Sequence, residues 1–371
     1  MPATCPTPDP RARSPRAGPP ARPRRGPPMP HKHRRPRKKL AALAAATALL
    51  ATGGALGTST AQGAQGASAA PPAAARAAEG PRVVGEKWLD ARTVDLTVAS
   101  PAVGKQLPVR VILPARFEEQ PDRTWPVLYL LQGAHDDYTS WTRETDVEEF
   151  LADKDVITVM PSSGPTGIPT DWWNHGSPTA PDYEAFQVQE LPALLRDAYR
   201  ANGNRSVAGV STGGYGAMAF AARHPGTFGA AASYSGVVDT TALGMPTVMN
   251  AIVARELLLP TALWGSPLLH RANWNSHNPA ALAERLAGTR LYVSQGSGIP
   301  SSDFGNLEGA VLEGTLWNQA RAFDRKLDRA GIPATVHFYS GGTHAWSSWQ
   351  REFKASWPTL AAGLGLPSGV S

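Results

Sequence analysis

The chain has 371 residues and a formal net charge of +6, but this charge is unevenly distributed. The first 70 residues hold 12 of the 36 Lys and Arg residues and one of the 30 Asp and Glu residues, which leaves residues 71–371 with 24 basic and 29 acidic groups. The basic balance therefore belongs to the N-terminal segment and gives no argument for a nucleic-acid partner. Cys5, the single cysteine, lies in the same segment, so the rest of the chain can form neither a disulfide nor a thiolate nucleophile.

The N-terminal segment has the composition of a tail followed by an export signal. Residues 1–28 consist almost entirely of Pro, Arg, Ala and Gly, which cannot build a core, and are predicted to be disordered. Residues 29–70 have the three parts of a signal peptide: a basic run, an apolar stretch over Leu40–Leu56, and small residues that include Ala67-Ser68-Ala69. We expect the mature protein to be secreted and to keep no stable membrane span.

Met29 is interpreted as the natural translation start. Residues 1–28 would then result from assigning the start to an upstream codon. A retained membrane anchor is the alternative, although the apolar stretch is interrupted by glycines and short for a bilayer span. Residues 71–80 are predicted to be a linker, and residues 81–371 a single catalytic α/β domain.

In chain order, the remaining sequence alternates between strand and helix patterns. Eight short apolar or β-branched runs are predicted strands: Thr93–Ala99, Val109–Leu113, Val127–Leu131, Val156–Met160, Ser206–Val210, Ala230–Tyr234, Leu291–Ser294 and Thr335–Tyr339. Apolar residues recur at helical spacing in residues 182–200 and 316–330. This order predicts a mostly parallel sheet of about eight strands flanked by helices.

Residues 237–278 are too long for a simple connection between two strands. They contain apolar runs and the aromatic residues Trp264 and Trp274. A helical cap that contributes Trp264 to a substrate cleft is one interpretation, and an ordinary pair of packing helices is the other.

Gly209-Val210-Ser211-Thr212-Gly213 fits the pattern G-x-S-x-G. A predicted strand precedes it and a helical stretch, Gly214–Arg223, follows it, which is the context of a nucleophilic serine on a sharp turn. The first N–H groups of the helix favour the negative charge that develops on a substrate carbonyl, so Thr212 N–H is expected to be one oxyanion donor.

A serine nucleophile needs a histidine as base, and in this fold order the histidine follows the last strand. His344 stands just past that strand, after two glycines. His337 lies within the strand, and His224 precedes a proline at a helix end. The remaining candidates all precede the last strand: His135, His175, His270 and His277.

The third member of a serine–histidine–acid triad should be an acidic residue that follows the strand Leu291–Ser294. Asp303, Glu308 and Glu313 all qualify, and distance from the strand does not separate them. The position of Asp303 in a Gly/Ser loop favours it, because carboxylates near a helix start also have a routine role there.

No sequence motif indicates a metal or a nucleotide cofactor, and none is expected. Asp136-Asp137 could be imagined as a cation site, but two adjacent loop carboxylates are more typical of solvated or structural positions.

These motifs together resemble the esterase D superfamily and, within it, the antigen 85 mycolyltransferases, over about Val94–Trp349. The matching stretches are Val127–Gly133, Asp136-Asp137-Tyr138, Trp141, Val159-Met160-Pro161, Asp171-Trp172-Trp173, the serine turn, Ser235–Asp239, Leu263-Trp264-Gly265, Leu312-Glu313-Gly314 and Gly342–Trp346.

The resemblance implies an α/β-hydrolase fold and changes the expected acid to Glu313, with Asp303 as runner-up. It also implies the backbone N–H of Ala134 as second oxyanion donor and Trp346 as an aromatic lining of the cleft. The family has Asp where this chain has Gln132, and an Arg shortly after it that is missing here. Because both serve the family's trehalose site, Gln132 is expected to contact substrate while weakening the case for a sugar acceptor.

The sequence therefore predicts a secreted serine carboxylesterase that acts on a small-molecule or lipid ester. An acyltransferase with the same acyl-enzyme and a sugar or lipid hydroxyl as acceptor is the alternative. A non-catalytic binding module would be indicated by a damaged triad, and Ser211, His344 and Glu313 are all present. The oligomeric state has no signature in the sequence.

Overall fold

The computed structural model describes residues 80–298 and 306–367. The predicted tail and signal peptide, all of the linker but Gly80, and Asp303 lie outside the described residues. Within these ranges no helix is both long and apolar enough to cross a bilayer.

A nine-stranded sheet forms the centre of the described structure. The strands are β1 (Arg82–Trp88), β2 (Thr93–Ser100), β3 (Lys105–Ile112), β4 (Trp125–Leu131), β5 (Ile157–Pro161), β6 (Ala201–Val210), β7 (Ala230–Tyr234), β8 (Arg290–Gly296) and β9 (Ala334–Tyr339). Their order across the sheet is β1-β2-β3-β5-β4-β6-β7-β8-β9. The first three strands and the β3–β5 pair are antiparallel, and every later pair is parallel.

The helices that connect and cover these strands are α1 (Ser140–Glu144), α2 (Val147–Phe150), α3 (Tyr183–Ala185), α4 (Leu191–Tyr199), α5 (Thr212–Arg223), α6 (Met245–Arg255), α7 (Arg271–Ser276), α8 (Leu307–Arg329) and α9 (Trp346–Leu364). Short 3₁₀ turns occur at Asn174–Gly176, Pro260–Ala262 and Ala283–Leu286. A π turn, Phe186–Glu190, joins α3 to α4, so the helix predicted in residues 182–200 is real but irregular.

Both faces of the sheet are covered, which explains why its inner strands have uninterrupted apolar sequences. In β4, Val127 and Tyr129 belong to one apolar cluster, whereas Leu128 and Leu130 belong to a second cluster. The first cluster includes Phe220 of α5, and the second includes residues of α9. Because side chains alternate between the faces of a strand, these clusters are the two halves of one core, separated by the sheet.

The sequence predicted about eight strands, and the ninth is β1. Most of its residues are exposed, and it pairs along one side only, with β2. An edge strand of this kind has no apolar run by which composition could reveal it.

Residues 237–278 form α6 and α7, joined through the 3₁₀ turn at Pro260–Ala262. Met245, Met249 and Val253 on α6 are buried in the core. Six leucines of the segment are exposed: Leu243, Leu257, Leu258, Leu259, Leu268 and Leu269. The segment is therefore a pair of helices anchored by their inner faces, with an apolar outer surface.

Trp264 of this segment lies wholly inside the core. Its indole N–H donates to Thr170 Oγ1 at 3.2 Å, and its ring contacts Tyr215, Trp274 and His277 at centroid distances of 5.1–5.5 Å. A side chain so enclosed stabilises the fold through contacts on all sides.

Replacing Trp264 with alanine is expected to lower the free energy of unfolding by about 3–5 kcal/mol, because it opens a large cavity in the core. Urea denaturation measures this loss. The matched control is Trp88→Ala on β1, whose side chain is 48% exposed. A Trp264→Ala variant as stable as this control would show that Trp264 is not a core residue.

Candidate active site

Ser211 occupies a strained turn between the end of β6 and the start of α5. Its backbone angles are φ 55° and ψ −118°, a conformation that residues with a side chain rarely adopt. Ser211 N–H donates to Tyr234 O, and Ser211 O accepts from Tyr215 N–H, both at 3.0 Å. These bonds to β7 and α5 hold the serine in this conformation.

The glycines on either side of this turn are required by close backbone packing. A Cβ atom on Gly209 would lie 2.2 Å from Gly213 O, and one on Gly213 would lie 2.4 Å from Gln132 O. The G-x-S-x-G pattern thus reflects the approach of α5 to the ends of β4 and β6.

His344 and Glu313 are hydrogen-bonded to each other. His344 Nδ1 donates to Glu313 Oε2 at 2.9 Å. Glu313 lies on α8 with its carboxylate fully buried, and its Oε1 accepts from Ser235 Oγ at 2.7 Å and Gly296 N–H at 2.8 Å. The carboxylate therefore fixes the imidazole, and both of its oxygens have donors.

Ser211 and His344 line one pocket of about 260 Å³ at the carboxyl ends of the parallel strands. Its other lining residues are Gly133, Ala134, Asp136, Val210, Trp346 and Trp349. The Trp349 ring meets the His344 ring edge-on at 4.9 Å, and Trp346 contacts Trp349 at 5.2 Å. Among the described atoms, His344 Nε2 is buried without a hydrogen-bond partner, so no other protein group occupies this nitrogen.

Both predicted oxyanion donors belong to backbone around this pocket. Thr212 is the first residue of α5, where N–H groups have no acceptor within the helix. Ala134 lies in the loop after β4, beside Gly133, whose added Cβ would lie only 3.4 Å from Ser211 Cβ. The two N–H groups thus belong to residues that flank the serine from different elements.

The prediction that Gln132 contacts substrate is wrong. Its side chain is 1% exposed and lies outside the pocket lining. Its amide group donates to Asp136 O and Gly164 O and accepts from Ser163 N–H. Gln132 therefore ties the Ala134 loop to the neighbouring loop.

The prediction that Trp264 lines a substrate cleft is also wrong, since this residue is in the core. The cleft role was inferred from the length and aromatic content of residues 237–278, whereas contacts with Thr170 and Tyr215 enclose the Trp264 ring.

The histidines set aside on sequence grounds make other contacts. Four of them donate a hydrogen bond to a carboxylate at 2.6–2.7 Å. The pairs are His135 with Glu256, His224 with Glu184, His277 with Asp171, and His337 with Glu352. His270 accepts from Ser266 N–H. In the ranges that the structure describes, His344 is the one histidine in the lining of the Ser211 pocket.

The Asp136-Asp137 pair is held by local donors. Asp136 forms an ion pair with Arg143. Burial alone would raise the pKa of Asp137, but hydrogen bonds from Thr139 outweigh it and lower that pKa. Over residues 80–298 and 306–367, no group of three His, Cys, Asp or Glu side chains is arranged to hold a metal ion.

Three neighbours of the site were not predicted. Ser235, at φ 50°, orients Glu313, and Trp349 forms a wall of the pocket behind His344. Burial raises the pKa of Tyr339 to about 12, with the charge of Glu313 contributing, so its phenol stays neutral beside the carboxylate. Trp349 follows Trp346 by three residues, a helical spacing that could have indicated a shared face.

Comparison with known proteins agrees with this architecture. The family model described as "Putative esterase" matches residues 100–360. The diacylglycerol acyltransferase/mycolyltransferase Ag85B of Mycolicibacterium smegmatis is 30% identical over 285 residues, which cover 73% of this chain and 85% of that protein.

Two solved structures share the fold. The crystal structure of MPT51 from Mycobacterium tuberculosis matches with a TM-score of 0.61 and 26% identity, covering 74% of this chain and all of that one. An S-formylglutathione hydrolase from Agrobacterium tumefaciens matches with a TM-score of 0.59 and 17% identity, covering 76% of this chain and 99% of that one. The predicted α/β-hydrolase fold is thereby confirmed, and the chain belongs to the esterase family that its residues 100–360 match, as an ester hydrolase or acyltransferase.

Proposed function

We propose that this protein is a secreted serine carboxylesterase that works through an acyl-enzyme on Ser211. The observation that carries the proposal is the arrangement of His344. Its Nδ1 is bound to the buried carboxylate of Glu313, while the ring lines the same pocket as Ser211. This is the division of roles that a Ser–His–acid triad needs.

In the first half of the proposed reaction, Ser211 Oγ attacks the ester carbonyl carbon and its proton moves to His344 Nε2. The carbonyl electrons move to oxygen, and the N–H groups of Thr212 and Ala134 stabilise that oxyanion. The C–O bond to the alcohol then breaks, and His344 gives its proton to the departing oxygen. The acyl group remains on Ser211.

In the second half, water attacks the acyl carbon and loses a proton to His344. The new tetrahedral centre collapses, the carboxylic acid leaves, and the proton returns to Ser211 Oγ. Throughout, the Glu313 carboxylate holds the Nδ1–H tautomer and stabilises the imidazolium that forms between proton transfers.

Short acyl chains are favoured by the size of the pocket, and hydrolysis is favoured by the residue at position 132. Its volume of about 260 Å³ lies below the ~300–1,000 Å³ typical of pockets for drug-sized ligands. The buried Gln132 amide offers no carboxylate to a sugar hydroxyl at that position. The alternative, transfer of the acyl group to a sugar or lipid hydroxyl, is supported by the similarity to Ag85B, a protein named as an acyltransferase.

The first test is a paired assay of the wild-type protein and Ser211→Ala on p-nitrophenyl esters of short and long chains, with and without trehalose or glycerol. We expect the wild-type protein to turn over short esters at the same rate with and without acceptor. In Ser211→Ala this rate should fall by about 10⁶-fold. Turnover that requires the acceptor and yields an acylated product would establish the alternative. Equal rates in both proteins would refute the role of Ser211.

The role of Glu313 is tested by changing Glu313 itself and by changing Ser235, which donates a hydrogen bond to its carboxylate. Glu313→Gln should lower kcat by about 10³–10⁴-fold, because an amide does not enforce the required tautomer. Ser235→Ala should lower kcat by roughly 10-fold or more, since a hydrogen bond to a charged group contributes about 1.5–3 kcal/mol.

The matched control is Ser206→Ala, which removes a buried hydroxyl that donates to Leu360 O at 2.9 Å. This variant should keep kcat within a factor of about two. If Ser235→Ala affects kcat no more than Ser206→Ala does, Ser235 has no part in orienting Glu313.

Export is supported by the basic, apolar and small-residue order of residues 29–70. We expect protein recovered from the culture medium to begin after Ala69, and deletion of residues 40–56 to keep it inside the cell. N-terminal sequencing of both fractions measures this. Medium protein that still contains residues 40–56 would contradict cleavage.

A further inference from the structure

A hydrogen bond between two side chains joins the Ala134 loop to the segment that carries α6 and α7. His135 directly follows Ala134, and its Nδ1 donates to Glu256 Oε1 at 2.6 Å. The two side chains are 19% and 26% exposed, so the pair is largely shielded from solvent. A contact of this length between a ring nitrogen and a carboxylate is a strong, charge-assisted hydrogen bond.

The backbone of His135 needs such a restraint. Its φ of 59° is a left-handed conformation that costs a residue with a side chain about 1 kcal/mol or more. Gln132 and Arg143 fix the next residue, Asp136, through its carbonyl and carboxylate. The hydrogen bond that His135 donates to Glu256 restrains the strained residue itself.

Glu256 is firmly placed for this purpose. It directly follows the last residue of α6, and its N–H donates to Val253 O at 3.2 Å. Val253 and Met249 anchor the same helix in the core. The backbone that carries the carboxylate is therefore tied to a helix anchored in the core, although Glu256 lies 121 residues from His135 along the chain.

We propose that Glu256 and His135 act as a positioning pair that sets the direction of the Ala134 N–H toward the oxyanion. Ala134 lies between Gly133, packed on Ser211, and His135, held by Glu256. Rotation of the Gly133–Ala134 peptide would turn the Ala134 N–H away from the pocket. The hydrogen bond between His135 and Glu256 prevents this rotation. The inference rests on the proposed function, because an oxyanion forms only if Ser211 attacks a carbonyl.

The pair is tested with Glu256→Ala and Glu256→Gln on the best p-nitrophenyl ester. Removing an oxyanion donor outright lowers kcat by about 10²–10³-fold, so a misdirected donor in Glu256→Ala should lower it by about 10–100-fold with KM changed less than about twofold. Glu256→Gln keeps an oxygen that can accept from His135 Nδ1 and should retain most of the activity.

A trifluoromethyl ketone of matching acyl chain separates positioning from general damage. This inhibitor adds to Ser211 and places a negative oxygen in the oxyanion site, so its Ki should rise by the same factor as kcat falls. The double variant His135→Ala/Glu256→Ala should lose no more than either single variant, because the two residues act as one unit. Arg255→Gln, an exposed change at the same helix end, is the matched control and should leave both quantities unchanged.

Several results would overturn the inference. An unchanged kcat in Glu256→Ala, a loss confined to KM, an unaltered Ki for the ketone, or additive losses in the double variant would each do so. In all of these cases the wild-type protein would still show turnover that depends on Ser211, and the proposed function would stand. Absence of that turnover in the wild-type protein would overturn both proposals.

Discussion

The buried carboxylate of Glu313 is the constraint on which the site depends. An ionised carboxylate away from water is stable only when donors replace its lost hydration. Here the donors come from Ser235 after β7, Gly296 at the end of β8 and His344 after β9. The donors to this one carboxylate therefore come from the ends of three neighbouring strands, and they place the imidazole in the pocket that also contains Ser211.

The local parts of this arrangement could be predicted from the sequence, since short-range patterns encode them. The strand before Ser211, the helix after it and the two flanking glycines all lie within a few residues of one another. The same is true of His344, which follows a strand and two glycines. The edge strand β1, by contrast, could not be predicted, because an exposed edge strand has no apolar run in its sequence.

The parts that depend on distant contacts could not be derived in this way. Physical reasoning favoured Asp303 over Glu308 and Glu313, because what distinguishes Glu313 is burial and donors from other elements; only the family resemblance selected Glu313. Gln132 and Trp264 illustrate the opposite error. Both stand in stretches shared with the family, but the first is used to tie two loops together and the second fills the core, so position in a motif did not imply contact with substrate.

The proposed triad is compatible with both hydrolysis and transfer. The serine and histidine follow β6 and β9 and the carboxylate is on α8, whereas the pocket walls come from the Ala134 loop and from the start of α9, where Trp346 and Trp349 lie. The choice between water and another hydroxyl is therefore made by elements that can change without disturbing the triad. A segment such as residues 237–278, which reaches the Ala134 loop through Glu256, can alter the oxyanion site from outside the pocket. Because that contact spans 121 residues and involves no motif, only the folded structure reveals it.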